Sequence, residues 1–527
     1  MSRREIWVVP FFGQGHLFPC MELCKHIASR DFQSTFIITS NLSTSIPSSL
    51  RQHPHIQVIE IPSSISPPPP PPPRQPASAS ASDPMHQHRK HHEQMALALQ
   101  NLLSTRPGPK PVCAILDIMM GWSTEVFAKF HIPTVAFFTS GACSAAIECA
   151  TWKSHIELDS IKPGETRLLP GLPEDMALSY SDLERRPHGP PGGPPPPLSG
   201  GPPLSGGPPP PQQRPFIGGP KKMGPPKPGN QPPWVEEAEG VIALLINTCD
   251  DLESPFIRYL SDQIGKPVWG VGPLLPEQYW KSAAAGSLLH DRELRTNNRK
   301  SNVTEDEVIQ WLDSKPRGSV LYVSFGTEVG PTMEEYRQLA DALLESSSTT
   351  FIWVIQPGSG RSGPPRAFLG PEGQPGSEQE EEEEVGYFPH GLDSKVGNRG
   401  LIIRGWAPQL LILSHPSTAG FLSHCGWNST VEAIGRGVPI LAWPIRGDQY
   451  YDAKLVVSHL KVGCMISDDL SQMVQKEDIV KGIEKLLGDE DLKNRAHALR
   501  TKFLQGFPTS SVTALDAFRD FINHKAA

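Results

Sequence analysis

Residues 406–449 read WAPQLLILSHPSTAGFLSHCGWNSTVEAIGRGVPILAWPIRGDQ, from Trp406 to Gln449. Thr418 to Phe421 reads as a strand that ends in a turn, and a helix opens at His424-Cys425-Gly426-Trp427-Asn428-Ser429. A helix N-terminus after a turn offers unpaired amides and the positive end of the helix dipole, which suits a phosphate group. Asn428 and Ser429 add side-chain donors in that first turn. Glu432 follows Asn428 by four residues and Ser429 by three, hence on the same helix face. A carboxylate there can accept both hydroxyls of a ribose, as acidic residues do in dinucleotide folds.

Outward from this stretch, short β-rich runs alternate with amphipathic helices. Ser319–Phe325, Thr350–Ile355, Gly400–Arg404 and Pro439–Trp443 read as strands, and Met333–Glu345 as a helix. An earlier series has strands at Ile6–Phe11, Thr35–Thr39, Val112–Leu116 and Thr134–Phe138, with helices over Leu17–Ser29 and Trp122–Phe130. Apolar residues at helical spacing (Leu17, Met21, Cys24) mark the first helix. Strand–helix–strand repetition requires right-handed crossovers and a parallel sheet. Two α/β halves are expected, as 527 residues exceed one ordinary core. Their boundary falls near residue 265, with residues 506–527 forming a helix that packs back on the first half.

Composition supports this division. The chain has 58 Pro and 46 Gly, gathered at residues 67–84, 189–233 and 358–384. Such segments bury too little apolar area to offset ordering entropy and read as loop inserts. A net charge of -8 without a basic block argues against nucleic acid as a partner. The apolar run Ile6–Phe12 is too short for a signal segment, and no stretch of about 18 apolar residues would span a membrane. The eight cysteines lie scattered in apolar segments and read as reduced thiols of a cytoplasmic protein.

Gly13-Gln14-Gly15-His16 follows the first strand and precedes a helix, which puts the imidazole at the carboxyl edge of a sheet. Ligands of open α/β sheets bind there, although a single histidine in such a turn is more often structural than catalytic. Asp117 ends the strand Val112–Leu116 at the same edge.

The 44 residues from Trp406 to Gln449 resemble, without a gap, the signature box of plant secondary-product glycosyltransferases, the family 1 enzymes that use UDP-sugars. The resemblance extends over nearly the whole chain apart from the inserts. It implies the GT-B fold, two Rossmann-like domains facing across a cleft, with the donor held mainly by the C-terminal one. By the same resemblance Trp406 stacks on uracil, Ala407 reads its edge and Gln409 lies near the ribose. His424, Gly426, Asn428 and Ser429 would hold the diphosphate, joined by Thr327 from across the cleft, and Glu432 would take the ribose hydroxyls. Trp427, Asp448 and Gln449 would address the sugar, with Thr139 near it. His16 takes the place of the family's catalytic base and Asp117 of its partner. One displacement at the anomeric carbon would then invert it, with no metal and no cofactor beyond the UDP-sugar donor.

The sugar is expected to be glucose, since the family tends to pair Gln at position 449 with it. Arg446 could invite a uronic acid carboxylate, but reads as one partner of a surface salt bridge. Met119, Met120 and Trp122 would line the site of a small lipophilic acceptor, phenolic, flavonoid or terpenoid, more readily glycosylated at oxygen than at carbon. His86, His88, His91 and His92 form a histidine-rich tract without the cysteine or carboxylate that would close a metal site. Asn302-Val303-Thr304 fits a glycosylation acceptor, which means little without a secretion signal. The chain is expected to be a monomer. The competing reading is a scaffold whose Pro-rich inserts engage proline-binding modules, built on an inactive transferase fold.

Overall fold

A computed structural model describes residues 3–62, 84–184, 228–291, 300–360 and 386–525, the side chains of Gln14 and residues 84–91 apart. The expected inserts fall largely outside these residues, as do the side chains of His86, His88 and His91.

The first sheet contains β1 (Arg4–Val9), β2 (Phe32–Thr39), β3 (Ile56–Ile61), β4 (Cys113–Asp117) and β5 (Thr134–Phe138). After a small antiparallel pair, β6 (Thr166–Arg167) and β7 (Leu178–Ser179), it is completed by β8 (Leu244–Ile246) and β9 (Val268–Gly270). Its strands are all parallel, in the order β3-β2-β1-β4-β5-β8-β9. The second sheet comprises β10 (Val320–Ser324), β11 (Thr350–Ile355), β12 (Gly400–Arg404), β13 (Thr418–Ser423), β14 (Ile440–Ala442) and β15 (Gly463–Met465). It too is parallel, in the order β12-β11-β10-β13-β14-β15. Helices cover both faces, so the central strands read as unbroken apolar runs rather than alternating ones. Every residue of β4, β5 and β10 is buried.

Strand order reverses between β1 and β4 in one sheet and between β10 and β13 in the other. A crevice opens beyond the carboxyl ends at each reversal. This is the two-Rossmann GT-B architecture. One hydrophobic core runs through both halves, joining Phe138, Ala142 and Cys143 to Trp427, Tyr451 and Val456. The helix Thr509–Lys525 buries Leu515, Phe518 and Ile522 in the core of the first sheet. Trp269 of β9 meets Phe518 and Phe521 there, with ring centroids 5.9 and 5.4 Å apart.

Candidate active site

The ends of β1, β4 and β5 bring three side chains together. His16 stands in the first turn of the helix Gln14–Ala28 that follows β1. Its Nδ1 lies 2.8 Å from Asp117 Oδ2 and 2.9 Å from the Thr139 hydroxyl. The second oxygen of Asp117 accepts the Met119 N–H at 3.0 Å and so caps the 3₁₀ turn after β4. With a carboxylate on Nδ1, the proton sits there and Nε2 is left as an acceptor. The Asp117 side chain is fully buried, whereas 29% of the His16 side chain is open. Burial opposes charge on His16, but the Asp117 charge and hydrogen bond, helped by Asp448 and Glu328, outweigh it and raise the pKa above 6.5.

Across the cleft, β13 delivers the chain into the helix Trp427–Arg436 through Cys425, a non-glycine residue in the left-handed region at φ 61°. Such a conformation costs about 1–3 kcal/mol and persists where the surroundings enforce it. It sets the His424 ring between two glycines: a Cβ on Gly326 would come within 2.9 Å of His424 Nε2, and one on Gly426 within 2.5 Å. Burial holds the His424 pKa down to about 4, so its imidazole stays neutral. The first amides of that helix lack intrahelical acceptors.

Beside the helix, Gln409 links the second group of residues. Its amide donates to Ser429 Oγ at 3.0 Å and to Glu432 Oε2 at 2.7 Å, while its carbonyl accepts from the Tyr322 hydroxyl at 3.1 Å. Trp406 is half-buried and Ala407 buried on the loop leading to Gln409. Thr327 is exposed on the turn after β10.

Several side chains at the cleft already have partners in the protein. Asn428 donates to the Gly15 carbonyl at 2.9 Å, beside His16, and Trp427 Nε1 donates to the Asn247 carbonyl at 2.6 Å. The Trp427 indole is thus sequestered, which leaves its backbone N–H rather than its ring for a ligand. Ser140 donates to Asp448 Oδ2 at 2.7 Å. Gln449 Oε1 accepts from the backbone of Ile445 and Arg446 at 3.0 and 3.1 Å. Only its Nε2 donor then remains for a ligand, not the donor–acceptor pair its chemistry suggests.

The expectation for acceptor-lining residues changes. Met119 is 40% exposed, but Met120 and Trp122 are buried in the core with Val9 and Phe127. His92 stacks on Trp122 at 4.7 Å. Asn302, read as a glycosylation acceptor, uses its amide to bracket β12, donating to Ile402 O and accepting from Arg404 N. The salt bridge expected of Arg446 is not formed among the described residues.

Residues 294–503 match the family model "UDP-glucoronosyl and UDP-glucosyl transferase". A scopoletin glucosyltransferase of Nicotiana tabacum is 25% identical, covering 95% of this chain and 93% of that protein. An anthocyanin 3'-O-beta-glucosyltransferase of Gentiana triflora is 27% identical, over 95% and 94%. Over residues 294–503 the chain matches the UDP-glycosyltransferase family, and over nearly its whole length it is similar to these plant glucosyltransferases. In fold, the chain superposes on a Medicago truncatula enzyme solved with UDP-glucose, at TM-score 0.70, 22% identity and coverage of 99% and 98%. It is an enzyme that moves a sugar from a UDP-sugar to a small acceptor, and the inactive-scaffold reading gives way to that activity. Among the described residues no helix is long and apolar enough to cross a membrane.

Ser140, Asn247 and Glu253 are not among the residues expected from the sequence. Ser140 stood beside Thr139 at a strand's carboxyl end, a signal that could have found it. Asn247 and Glu253 act through backbone groups of distant segments, and no local pattern announces them.

Proposed function

We propose that the chain transfers glucose from UDP-glucose to a hydroxyl of a small lipophilic acceptor, a phenolic, flavonoid or terpenoid, with inversion. The observation that carries this reading is the 2.8 Å contact of His16 with Asp117 at one carboxyl edge, facing the helix Trp427–Arg436 at the other. In this mechanism His16 Nε2 takes the acceptor hydroxyl proton, and Asp117 holds the tautomer and stabilises the imidazolium. The freed oxygen attacks the anomeric carbon from one side while the bond to UDP breaks on the other.

Trp406 and Ala407 hold the uracil, and Gln409 with Glu432 the ribose. The neutral His424, Gly426, Asn428, Ser429 and Thr327 surround the diphosphate. Thr139, Trp427 through its backbone, Asp448 and Gln449 meet the sugar. Uncharged donors and helix-end amides aimed at the departing diphosphate stabilise its charge without a metal ion. The domains divide near residue 265, with acceptor binding in the first.

Incubation with UDP-glucose and a panel of phenolic and terpenoid acceptors, in the presence of a chelator, tests this by mass spectrometry. A hexose adduct with stoichiometric UDP is expected. No adduct with any member, or one that forms only when magnesium or manganese is restored, would overturn the corresponding part.

A further inference from the structure

The turn after β5 carries two hydroxyls that face different partners. Thr139 Oγ1 lies 2.9 Å from Nδ1 of His16, and Ser140 Oγ donates to Oδ2 of Asp448 at 2.7 Å. One residue belongs to the surroundings of the base, the next reaches across the cleft to the loop of the second domain.

That turn is held on three sides. Glu253, fully buried, accepts the Ala142 N–H at 2.8 Å and the Cys143 N–H at 2.7 Å, fixing the start of the helix Ala142–Lys153. Gly141 leaves no space: a Cβ there would meet both Glu253 Oε2 and the Trp427 ring at 2.7 Å. Asn247 donates to the Thr139 carbonyl at 3.0 Å while its own carbonyl receives the Trp427 indole at 2.6 Å. The Ser140 backbone therefore sits on a frame that itself spans both domains, leaving the hydroxyl only its own rotation.

Asp448 is held through its backbone alone: its carbonyl accepts the Tyr451 and Asp452 N–H at 2.9 and 3.0 Å, which leaves the carboxylate its own rotation. It follows Gly447, exposed and left-handed at φ 61°, on a loop between β14 and the helix Gln449–Lys454. Among the described residues Ser140 is its side-chain hydrogen-bond partner.

We infer that Ser140 is a positioning residue for the donor sugar, which orients the Asp448 carboxylate across the closed cleft through the 2.7 Å hydrogen bond. The inference rests on the proposal that Asp448 meets the sugar. One lone pair of Oδ2 is engaged by Ser140, and Oδ1 is left aimed at adjacent sugar hydroxyls. A carboxylate fixed beforehand loses less freedom when the sugar arrives, so the hydroxyl strengthens sugar binding without touching the sugar. UDP, which lacks the sugar, does not draw on it.

The test measures UDP-glucose and UDP binding by calorimetry for the wild type, Ser140→Ala, Ser140→Thr, Asp448→Asn and the Ser140→Ala/Asp448→Asn double variant. The expected result is UDP-glucose affinity lowered about ten- to a hundredfold by Ser140→Ala, the scale of a hydrogen bond to a charged group. UDP affinity should stay within twofold, Ser140→Thr should restore the sugar-dependent part, and Ser140→Ala should add nothing to Asp448→Asn. Unchanged UDP-glucose affinity in Ser140→Ala, an equal loss for UDP, or independent effects in the double variant would each overturn the inference while leaving Asp448 in place. If Asp448→Asn itself leaves UDP-glucose binding unchanged, the reading of Asp448 falls first, and this inference with it.

Discussion

Asp117→Asn probes the base through a group that does two jobs at once. Oδ2 faces His16 Nδ1 at 2.8 Å and Oδ1 accepts the Met119 N–H at 3.0 Å. An asparagine has one carbonyl for these two donors. If its oxygen keeps the Met119 amide, which cannot change its donor role, its NH₂ faces Nδ1 and drives the ring proton to Nε2, where the substrate proton must go. If the amide turns over, the part-buried Met119 N–H loses its acceptor at a cost of about 1 kcal/mol. Either way the charge that stabilises the imidazolium is gone. The variant is expected to lose about two to four orders of magnitude in kcat, with UDP affinity within twofold. The pH profile carries a second signature. In the wild type the base has a pKa raised above 6.5 by Asp117 against burial, so kcat/KM should climb as pH rises through that value and His16 loses its proton. With the Asp117 charge removed, burial prevails and the same limb should move to lower pH. Turnover and calorimetric UDP binding, each measured from pH 5 to 9, check both parts. A variant within tenfold of wild type whose acidic limb has not moved would refute the reasoning.

Two further outcomes follow from the geometry. Competition between UDP-glucose, UDP-galactose and UDP-glucuronic acid should favour glucose by roughly five- to a hundredfold in kcat/KM, about 1–3 kcal/mol for polar groups left unpaired by the wrong epimer. Since Gln449 Oε1 is already taken by Ile445 and Arg446, Asp448 must supply the acceptors, and preference for another donor would refute that assignment. Trp427→Phe removes the indole donor to Asn247 O and should destabilise the protein by about 1–3 kcal/mol, seen as a lower Tm, with UDP affinity nearly intact. An unchanged Tm would show that the bond across the cleft contributes nothing.

Where the chain carries local chemistry, its sequence spoke clearly. β5, β11, β12 and the helix Met333–Glu345 fall where propensity and period put them, and the run from Trp406 to Gln449 exposed the helix that opens the donor side. β8, β9 and β15 are three residues each, too short for any period to register. β3 lies at a sheet edge with a mixed burial pattern, so neither alternation nor an apolar run marks it. Met120 and Trp122 illustrate another limit: their apolarity is equally that of a lining and of a core, and only packing with Val9 and Phe127 settles it. For Gln449 the side-chain chemistry was legible, but not the two backbone amides that occupy half of it. These features depend on chain segments that meet only after folding.

The central claim is that His16 is the base of a UDP-sugar transfer, and single-turnover chemistry on His16→Ala tests it most directly. With UDP-glucose and an acceptor found in the screen, and UDP affinity measured in parallel, transfer should fall by about two to four orders of magnitude while UDP binds as before. Transfer at a rate near that of the wild type would contradict the account.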